Sequence, residues 1–529
     1  MSSSTDGAPA ARAPEREQWS GQVGFLFAAI GSAIGLGNIW RFPGVAYSNG
    51  GGAFMIPYII ALLFVGIPVL FLDYSLGHRL RGSAPAVFRR LSRRFEWLGW
   101  WQVFICFVIM TYYAVVVAWS LSYTVFSVTL AWGDDAAGFF SNYVGTDRFG
   151  DAAPSFSIAP MTGVIIPLVI VWAFGIVTIS RGVSNGVEKA NRIFLPLLVV
   201  MFLALVVRSI LLPGATGGLN ALFSPDWSSL GDFKVWMAAF AQIFFSLSIG
   251  FGIMLTYASY LRPRSNLVGT GLVAAFANSS FEVLAGIGVF STLGFMAHAQ
   301  GIAVGEIDKI SGPSLAFVTF PTVISQMPGG TIFGVLFFAS FAMAGLTSFI
   351  SIIQVVVPGV SEKTGMSIPR TTLLVCLPSA ALSLLLFGTA SGLFDLDIVD
   401  AFINNIGVVG SATITCIGVT WVLRRAKPLQ RHLNLVSETR AVGAWWRFLI
   451  AVIAPLALAY MLFRTVRSYV QDGYEGYSGA MLGAFGWGML ALGAIIVAVL
   501  SLTRWRTPWM TSRPSTWTPS DGRRGGELT

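Results

Sequence analysis

Charged side chains, histidines and cysteines are all scarce in this sequence. Only 11% of its 529 residues are charged and 55% are hydrophobic, and it has three histidines and three cysteines. Such a low charge excludes a soluble fold around one core. Cys106, Cys376 and Cys416 fall within apolar runs without the spacing of a metal or redox site, so we expect free thiols. The scattered histidines and the lack of a glycine-rich, lysine-containing phosphate loop argue against a membrane enzyme.

Long apolar runs are abundant instead. Runs of about 20 apolar residues, the length that crosses the hydrocarbon core of a bilayer, recur along the whole sequence. They predict an all-α polytopic membrane protein with twelve transmembrane helices. The predicted spans are residues 22–44, 53–77, 98–129, 158–178, 190–212, 233–260, 266–297, 330–360, 370–388, 398–424, 443–466 and 480–503.

The charges in the loops predict how these spans are oriented. Arginines crowd residues 79–94, after span 2, and basic residues recur at 424–440, after span 10. The positive-inside rule places both loops in the cytoplasm, and therefore both termini as well. The net charge of +9 is explained by this topology and by anionic lipid, so it indicates no nucleic-acid partner. We expect a multi-pass protein of the plasma membrane.

Two of the apolar runs are interrupted by residues that suit a lipid-exposed helix poorly. Span 1 is broken by small and polar residues within 31–43, and span 6 by serines and glycines within 242–252. In lipid, an unwound segment survives only when it is buried in protein or lines a wet cavity. Broken spans at matching places in two halves indicate an inverted-repeat transporter with a binding site at the membrane midplane. The alternative is that the small residues only allow close helix packing.

This pattern divides the sequence into segments. Two five-span inverted repeats, a 5+5 arrangement with broken helices 1 and 6, are predicted at residues 21–212 and 213–425, and spans 11 and 12 at residues 426–503. The tails, residues 1–20 and 504–529, are predicted to be cytoplasmic. The second tail carries tryptophans that we expect to lie along the lipid headgroups: Trp505, Trp509 and Trp517.

Several motifs resemble the neurotransmitter:sodium symporter family, particularly its bacterial amino-acid transporters. They are the runs at residues 31–43, 49–58, 242–252, 256–260, 278–282 and 344–348. The resemblance implies sodium-coupled import of a neutral amino acid by alternating access. The pattern is most similar to the methionine and alanine importers of that family, which work with a very small membrane subunit. An ion channel on the same broken-helix fold is the alternative.

The resemblance implies two sodium sites built from oxygen atoms, which a hard cation prefers. Site 1 would combine the substrate carboxylate with oxygens of Ala33, Asn38, Ser246 and Asn278; Ser246 stands where many bacterial relatives have threonine. Site 2 would use Gly31, Ile34, Ala344, Thr347 and Ser348. For the last two hydroxyls, the alternative is hydrogen bonding to carbonyls of their own helix.

The resemblance also implies a substrate site between the two ions. Backbone amides at a half-helix N-terminus can bind a carboxylate, and no charged residue is expected in the wall around the side chain. This favours a neutral substrate, although Ile109 and Ile352 could equally be core residues. The predicted substrate-binding residues are Ser32, Ala33, Gly35, Leu36, Gly37, Ile109, Tyr113, Phe245, Ser246, Ser248, Phe251, Ser348 and Ile352.

Charged residues beyond this site resemble the gates of the family. Arg41 and Asp400 would form the outer pair. Arg16 and Glu362 would form the inner pair, near Ser259 and Tyr260; Glu362 stands where aspartate is usual. A lone surface charge is the alternative for each of these four charged residues.

Glu282 lies inside span 7. By resemblance, chloride-dependent members of the family have a small neutral residue at the matching position. Glu282 implies a built-in negative charge and transport that is independent of chloride. Pairing with another polar group is the alternative.

Overall fold

A computed structural model describes residues 17–150, 153–225, 227–307, 312–437 and 442–507. Its described part is a bundle of helices. Ten helices are long and apolar enough to cross a membrane, or eleven when a bent first pair counts as one span. The all-helical membrane fold is therefore confirmed. The predicted sixth span consists of two helices, Phe233–Ser246 and Ile253–Ala258, and each alone is shorter than a membrane crossing.

We number the spans along the chain. Span 1 is Gln22–Ala33 with Leu36–Ser48, and span 6 is Phe233–Ser246 with Ile253–Ala258. The others, in order, are Met55–Leu80, Arg93–Phe126, Thr162–Ser180, Val183–Ile210, Leu267–Gln300, Gly330–Thr364, Ile368–Phe387, Gly392–Val422, Ala444–Gln471 and Gly479–Leu502. Shorter helices between spans include Ala84–Leu91, Ala136–Val144, Ala215–Phe223, Phe320–Gln326 and Ala426–Val436.

Both predicted helix breaks are present. Span 1 bends by 60° where Ile34 and Gly35 leave the helical conformation. In span 6, Ser248, Gly250 and Gly252 have positive φ angles of 53°, 87° and 89°. That conformation is strained for residues with a side chain and is easily adopted by glycine, which explains the two glycines. Backbone groups freed by such breaks need new partners, and the Gly250 N–H meets the buried Asp73 carboxylate at 3.3 Å.

The breaks lie at the centre of the bundle because spans 3 and 8 pack against each other there. Most of the apolar stretch of each of these two spans is buried, whereas spans 5, 11 and 12 expose most of theirs. This is the arrangement expected of lipid-facing helices around a protein core. Cys106, Cys376 and Cys416 are buried free thiols, as predicted.

Candidate substrate and sodium site

A central cavity of about 50 Å³ lies where the breaks of spans 1 and 6 meet spans 3, 8 and 10. Twelve of the thirteen predicted substrate-binding residues line it; Leu36 lines the neighbouring cleft instead. None of the residues that line the cavity is charged. The lining residues that the sequence did not predict for substrate are Asn38, Tyr112, Ile253 and Asn404.

Hydrogen-bonding groups lie close together where the second half of span 1 begins. The Tyr113 hydroxyl lies 3.3 Å from the Leu36 amide, and the Gly35 amide donates to Asn38 Oδ1 at 3.0 Å. A β-carbon at Gly37 would lie 2.2 Å from Phe245 Cε1, so glycine is needed for this close approach. The arrangement suits a carboxylate, because amide N–H groups at a helix N-terminus attract anions.

Three of the four residues predicted for sodium site 1 form one buried chain of hydrogen bonds, and the fourth, Ala33, lines the central cavity. Asn38 Nδ2 donates to Asn278 Oδ1 at 2.8 Å, and Asn278 Nδ2 donates to Ser246 Oγ at 3.0 Å. All three side chains are buried. Amide, hydroxyl and carbonyl oxygens from spans 1, 6 and 7 are thereby brought together. This donor set suits a hard cation such as sodium.

The residues predicted for sodium site 2 join span 1 to span 8. Ser348 Oγ donates to the Ser32 carbonyl of span 1 at 3.1 Å, and a β-carbon at Gly31 would lie 3.6 Å from Thr347 Cβ. The Thr347 hydroxyl donates to the carbonyl of Ala344 at 2.9 Å, the back-bonding that the alternative interpretation expects. Gly31 also faces span 5, where Asn191 Oδ1 would lie 2.1 Å from such a β-carbon.

Glu282 is fully buried near Ser246 of sodium site 1, and the side chains of Gln242 and Tyr58 donate hydrogen bonds to it. Gln242 Nε2 donates to one carboxylate oxygen at 2.5 Å, and the Tyr58 hydroxyl donates to the other. The polar partners of the alternative interpretation are therefore present. They do not neutralise a carboxylate, because glutamine and tyrosine are uncharged donors.

A larger cleft of about 700 Å³ adjoins the central cavity, and its lining includes the acidic residues Asp397, Asp400 and Glu475. Arg41 and Asp400, the predicted outer pair, both line it. The ion pairs between described residues do not include this pair. The Arg41 guanidinium instead lies 4.4 Å from the centre of the Phe245 ring, and Asp400 accepts a hydrogen bond from the Tyr112 hydroxyl at 2.6 Å. The cleft and the cavity share four wall residues: Gly37, Tyr112, Tyr113 and Phe245.

The opposite side of the cavity is packed shut. Trp19 is 2% exposed, donates from its indole nitrogen to the Tyr257 carbonyl at 3.0 Å, and contacts the Tyr260 ring edge-on. The Ser259 hydroxyl donates to the Thr256 carbonyl at 2.5 Å. Of the predicted inner pair, Glu362 accepts hydrogen bonds from the backbone and hydroxyl of Ser83. Its predicted partner, Arg16, lies outside the described residues.

Comparisons with known proteins agree with this geometry. The profile of the sodium:neurotransmitter symporter family matches residues 16–148 and 152–507. The chain belongs to this family. It is 37% identical to an uncharacterized sodium-dependent transporter, MJ1319, of Methanocaldococcus jannaschii, over 94% of this chain and 99% of that one. The structure of MhsT in complex with L-phenylalanine is similar, with a TM-score of 0.71, 29% identity, and coverage of 85% of this chain and all of that one.

A more distant similarity reaches the animal members of the symporter family. The sodium- and chloride-dependent creatine transporter 1 of Mus musculus is 35% identical over 65% of this chain and 59% of its own length. Membership makes this protein a sodium-dependent secondary transporter of the membrane and not an enzyme. The sequence-based assignment of the family is confirmed.

Tyr112 and Asn404 line the cavity of this symporter but were not among the residues predicted from the sequence. The sequence nevertheless gave a weak indication of both. Tyr112 directly precedes the predicted Tyr113, and Asn404 follows Asp400 by four residues, about one helical turn. Helical spacing placed Asn404 near Asp400, but only the packing of span 10 against span 3 shows that it lines the cavity.

Proposed function

We propose that this protein is a symporter that uses the sodium gradient to import a neutral amino acid by alternating access. The observation that carries this proposal is the uncharged central cavity between the two broken spans, with the amides that begin the second half of span 1 and the Tyr113 hydroxyl at one end. The amides suit a carboxylate, and carbonyls at the breaks suit an ammonium group. The complex of MhsT with L-phenylalanine supports an amino acid as the substrate class.

Two sodium sites would couple the ion gradient to this substrate. In site 1, at Ala33, Asn38, Ser246 and Asn278, the substrate carboxylate completes the ion's coordination. Substrate and sodium then raise each other's affinity, since linkage is reciprocal. In site 2, at Gly31, Ile34, Ala344, Thr347 and Ser348, the ion ties span 1 to span 8. The hydrogen bonds that link Asn38, Asn278 and Ser246 support site 1, and the bond from Ser348 to the Ser32 carbonyl, which joins span 8 to span 1, supports site 2.

Alternating access explains the asymmetry of the two sides better than a channel does. A large outer cleft borders the cavity through shared wall residues, whereas Trp19 and its neighbours are packed tightly on the opposite, cytoplasmic side. We infer that Arg41 with Asp400, and Arg16 with Glu362, close the two sides in turn. The protein would lie in the plasma membrane with both termini in the cytoplasm, as the basic loops indicate. Glu282 would replace chloride.

Uptake into proteoliposomes tests the proposal. The purified chain is reconstituted alone and offered each of the twenty labelled amino acids with a sodium gradient directed inward. We expect saturable uptake of one or more neutral amino acids, abolished when sodium is replaced by potassium, and exchange of label in counterflow. A unitary sodium current without saturable exchange would indicate a channel instead.

The importer type and the small membrane subunit remain predictions that the same system can test. Methionine and alanine are therefore the first of the twenty amino acids to be tested. Uptake by the chain alone would show that a subunit is dispensable for transport. Uptake that appears only in native membranes would favour such a partner.

A further inference from the structure

Tyr112 and Asn404 connect the central cavity to the carboxylate of the outer cleft. Both line the cavity, with 3% and 7% of their surface exposed. The Tyr112 hydroxyl donates to Asp400 Oδ1 at 2.6 Å, and Asn404 Nδ2 donates to the same oxygen at 2.8 Å. Asn404 Nδ2 also lies 3.1 Å from the Tyr112 hydroxyl. Two side chains of the cavity wall therefore set the position of this carboxylate.

The opposite charge is also held by a residue of the cavity wall. The Arg41 guanidinium lies over the ring of Phe245, 4.4 Å from its centre, and Phe245 lines the cavity. Arg41 and Asp400 border the same cleft without an ion pair between them in the described structure. Each charge thus rests on a side chain that a substrate in the cavity would touch.

The helix of span 10 changes from α-helical to π-helical next to Asn404. Asn404 is the second residue of a π-helical segment, Ile403–Val408. The Asn404 side-chain nitrogen also donates to the Asp400 carbonyl at 3.0 Å. Its acceptors are therefore Asp400, in span 10, and Tyr112. Its amide oxygen accepts no hydrogen bond from the described residues and is left for the cavity.

We propose that Tyr112 and Asn404 are positioning residues through which substrate in the cavity directs Asp400 to Arg41. This inference rests on the proposed function. A substrate packed against Tyr112 and Asn404 fixes Asp400 Oδ1, which leaves Oδ2 to face the cleft. The same substrate packs against Phe245, on which Arg41 rests. Closing the outer side then depends on occupancy, because substrate stabilises the closed arrangement over the open one.

A cysteine reporter tests this role. Val45 lines the outer cleft and is partly buried, and the native cysteines are fully buried, so Val45→Cys offers one reactive thiol. Labelling by a membrane-impermeant maleimide is measured in sodium gluconate with and without an equimolar mixture of the neutral L-amino acids. Tyr112→Phe and Asn404→Leu are each added to this parent. Tyr123→Phe is the matched control, because its buried hydroxyl on the same helix has no hydrogen-bond partner among the described residues.

In the parent and the Tyr123→Phe control, amino acids should slow labelling about tenfold. In Tyr112→Phe and Asn404→Leu, this protection should fall about tenfold, the size expected for one lost hydrogen bond to a charge, when it is measured at amino-acid concentrations that saturate each variant's own sodium-dependent binding. Full protection in both variants would overturn the inference. So would complete loss of binding, which would make these residues direct ligands. A parent that no amino acid protects would instead count against the proposed function.

Discussion

Asn38 and Asn278 illustrate how single side chains would couple substrate to ion. Each is buried, and the two share a hydrogen bond at 2.8 Å. In the proposed site each supplies one oxygen to a sodium ion that the substrate carboxylate also contacts. Each asparagine therefore affects the binding of both sodium and substrate, although its own oxygen contacts only the sodium ion.

We predict that Asn38→Ala and Asn278→Ala each abolish sodium-dependent substrate binding. Each removes an oxygen from the ion of site 1, so the affinities for sodium and substrate should fall together. Scintillation proximity binding in a sodium titration measures both. Asn142→Ala, in a partly exposed loop helix, is the control and should bind normally. Unchanged sodium affinity in the presence of substrate would disprove the assignment of site 1.

We also predict that transport is independent of chloride and that Glu282→Ser makes it chloride-stimulated. Two sodium ions beside one zwitterion leave excess positive charge in a site of low dielectric constant, which the glutamate would offset. Serine deletes the charge and leaves a hydroxyl that can donate to an anion. Uptake in gluconate and in chloride buffers decides the matter. Glu306→Ser, outside the spans, should behave like the unaltered protein.

The segment after span 12 is held in place by residues of spans 3 and 8, which are distant in the sequence. Trp505 is 8% exposed, and its indole nitrogen donates to Glu96 Oε1, at the start of span 3, at 2.7 Å. Lys363, near the end of span 8, lies 3.1 Å from the same oxygen. The expectation that Trp505 follows the lipid headgroups is therefore wrong, because a buried carboxylate and a lysine attract the indole inward. Trp509 and Trp517 lie outside the described residues.

We predict that Trp505→Ala lowers the melting temperature of the detergent-solubilised protein. The change removes a buried aromatic ring and leaves Glu96 one donor short, at a cost on the order of 3 kcal/mol. Size-exclusion chromatography after heating measures the fraction that stays folded. Trp227→Ala, whose ring is 65% exposed, is the matched control and should change the melting temperature little. Equal melting temperatures for the two variants would show that the contact at Glu96 contributes no stability.

For the whole molecule, the second sodium site would be a tie between two groups of helices. Span 8 belongs to the buried centre, and we propose that the first half of span 1 moves away from it when the cytoplasmic side opens. An ion held by both elements would stabilise the form in which the cytoplasmic side is closed. Releasing that ion would then permit opening, which links the sodium gradient to the direction of transport.

We predict that sodium raises the melting temperature of the solubilised protein and that Thr347→Val removes part of this rise. A ligand at about 100 times its dissociation constant stabilises by about 2.7 kcal/mol, so the loss of one site should be measurable. Potassium at equal ionic strength controls for salt. Thr322→Val, at a threonine with a similar bond to its own helix but far along the chain from the site, is the control variant. A sodium effect that Thr347→Val leaves unchanged would exclude this threonine from the site.

The sequence by itself determined the membrane fold, the two breaks and the residues along them. Hydropathy marks helices that must cross lipid, and glycines at 35, 250 and 252 mark where the backbone leaves the helical conformation. These are local properties, so they can be read from neighbouring residues. Ser32, Phe245 and Ser348 were placed at the site by family motifs, and the structure puts them around one cavity.

Only the tertiary structure decided which distant side chains complete that cavity and which of its two sides is closed. Asn404 reaches the cavity because span 10 packs on span 3, and Trp19 packs on the side away from the large cleft because it meets Tyr257, 238 residues away. The same holds for Trp505 at Glu96. Such contacts depend on how whole helices pack, and the local composition of a segment does not specify its partners across the bundle.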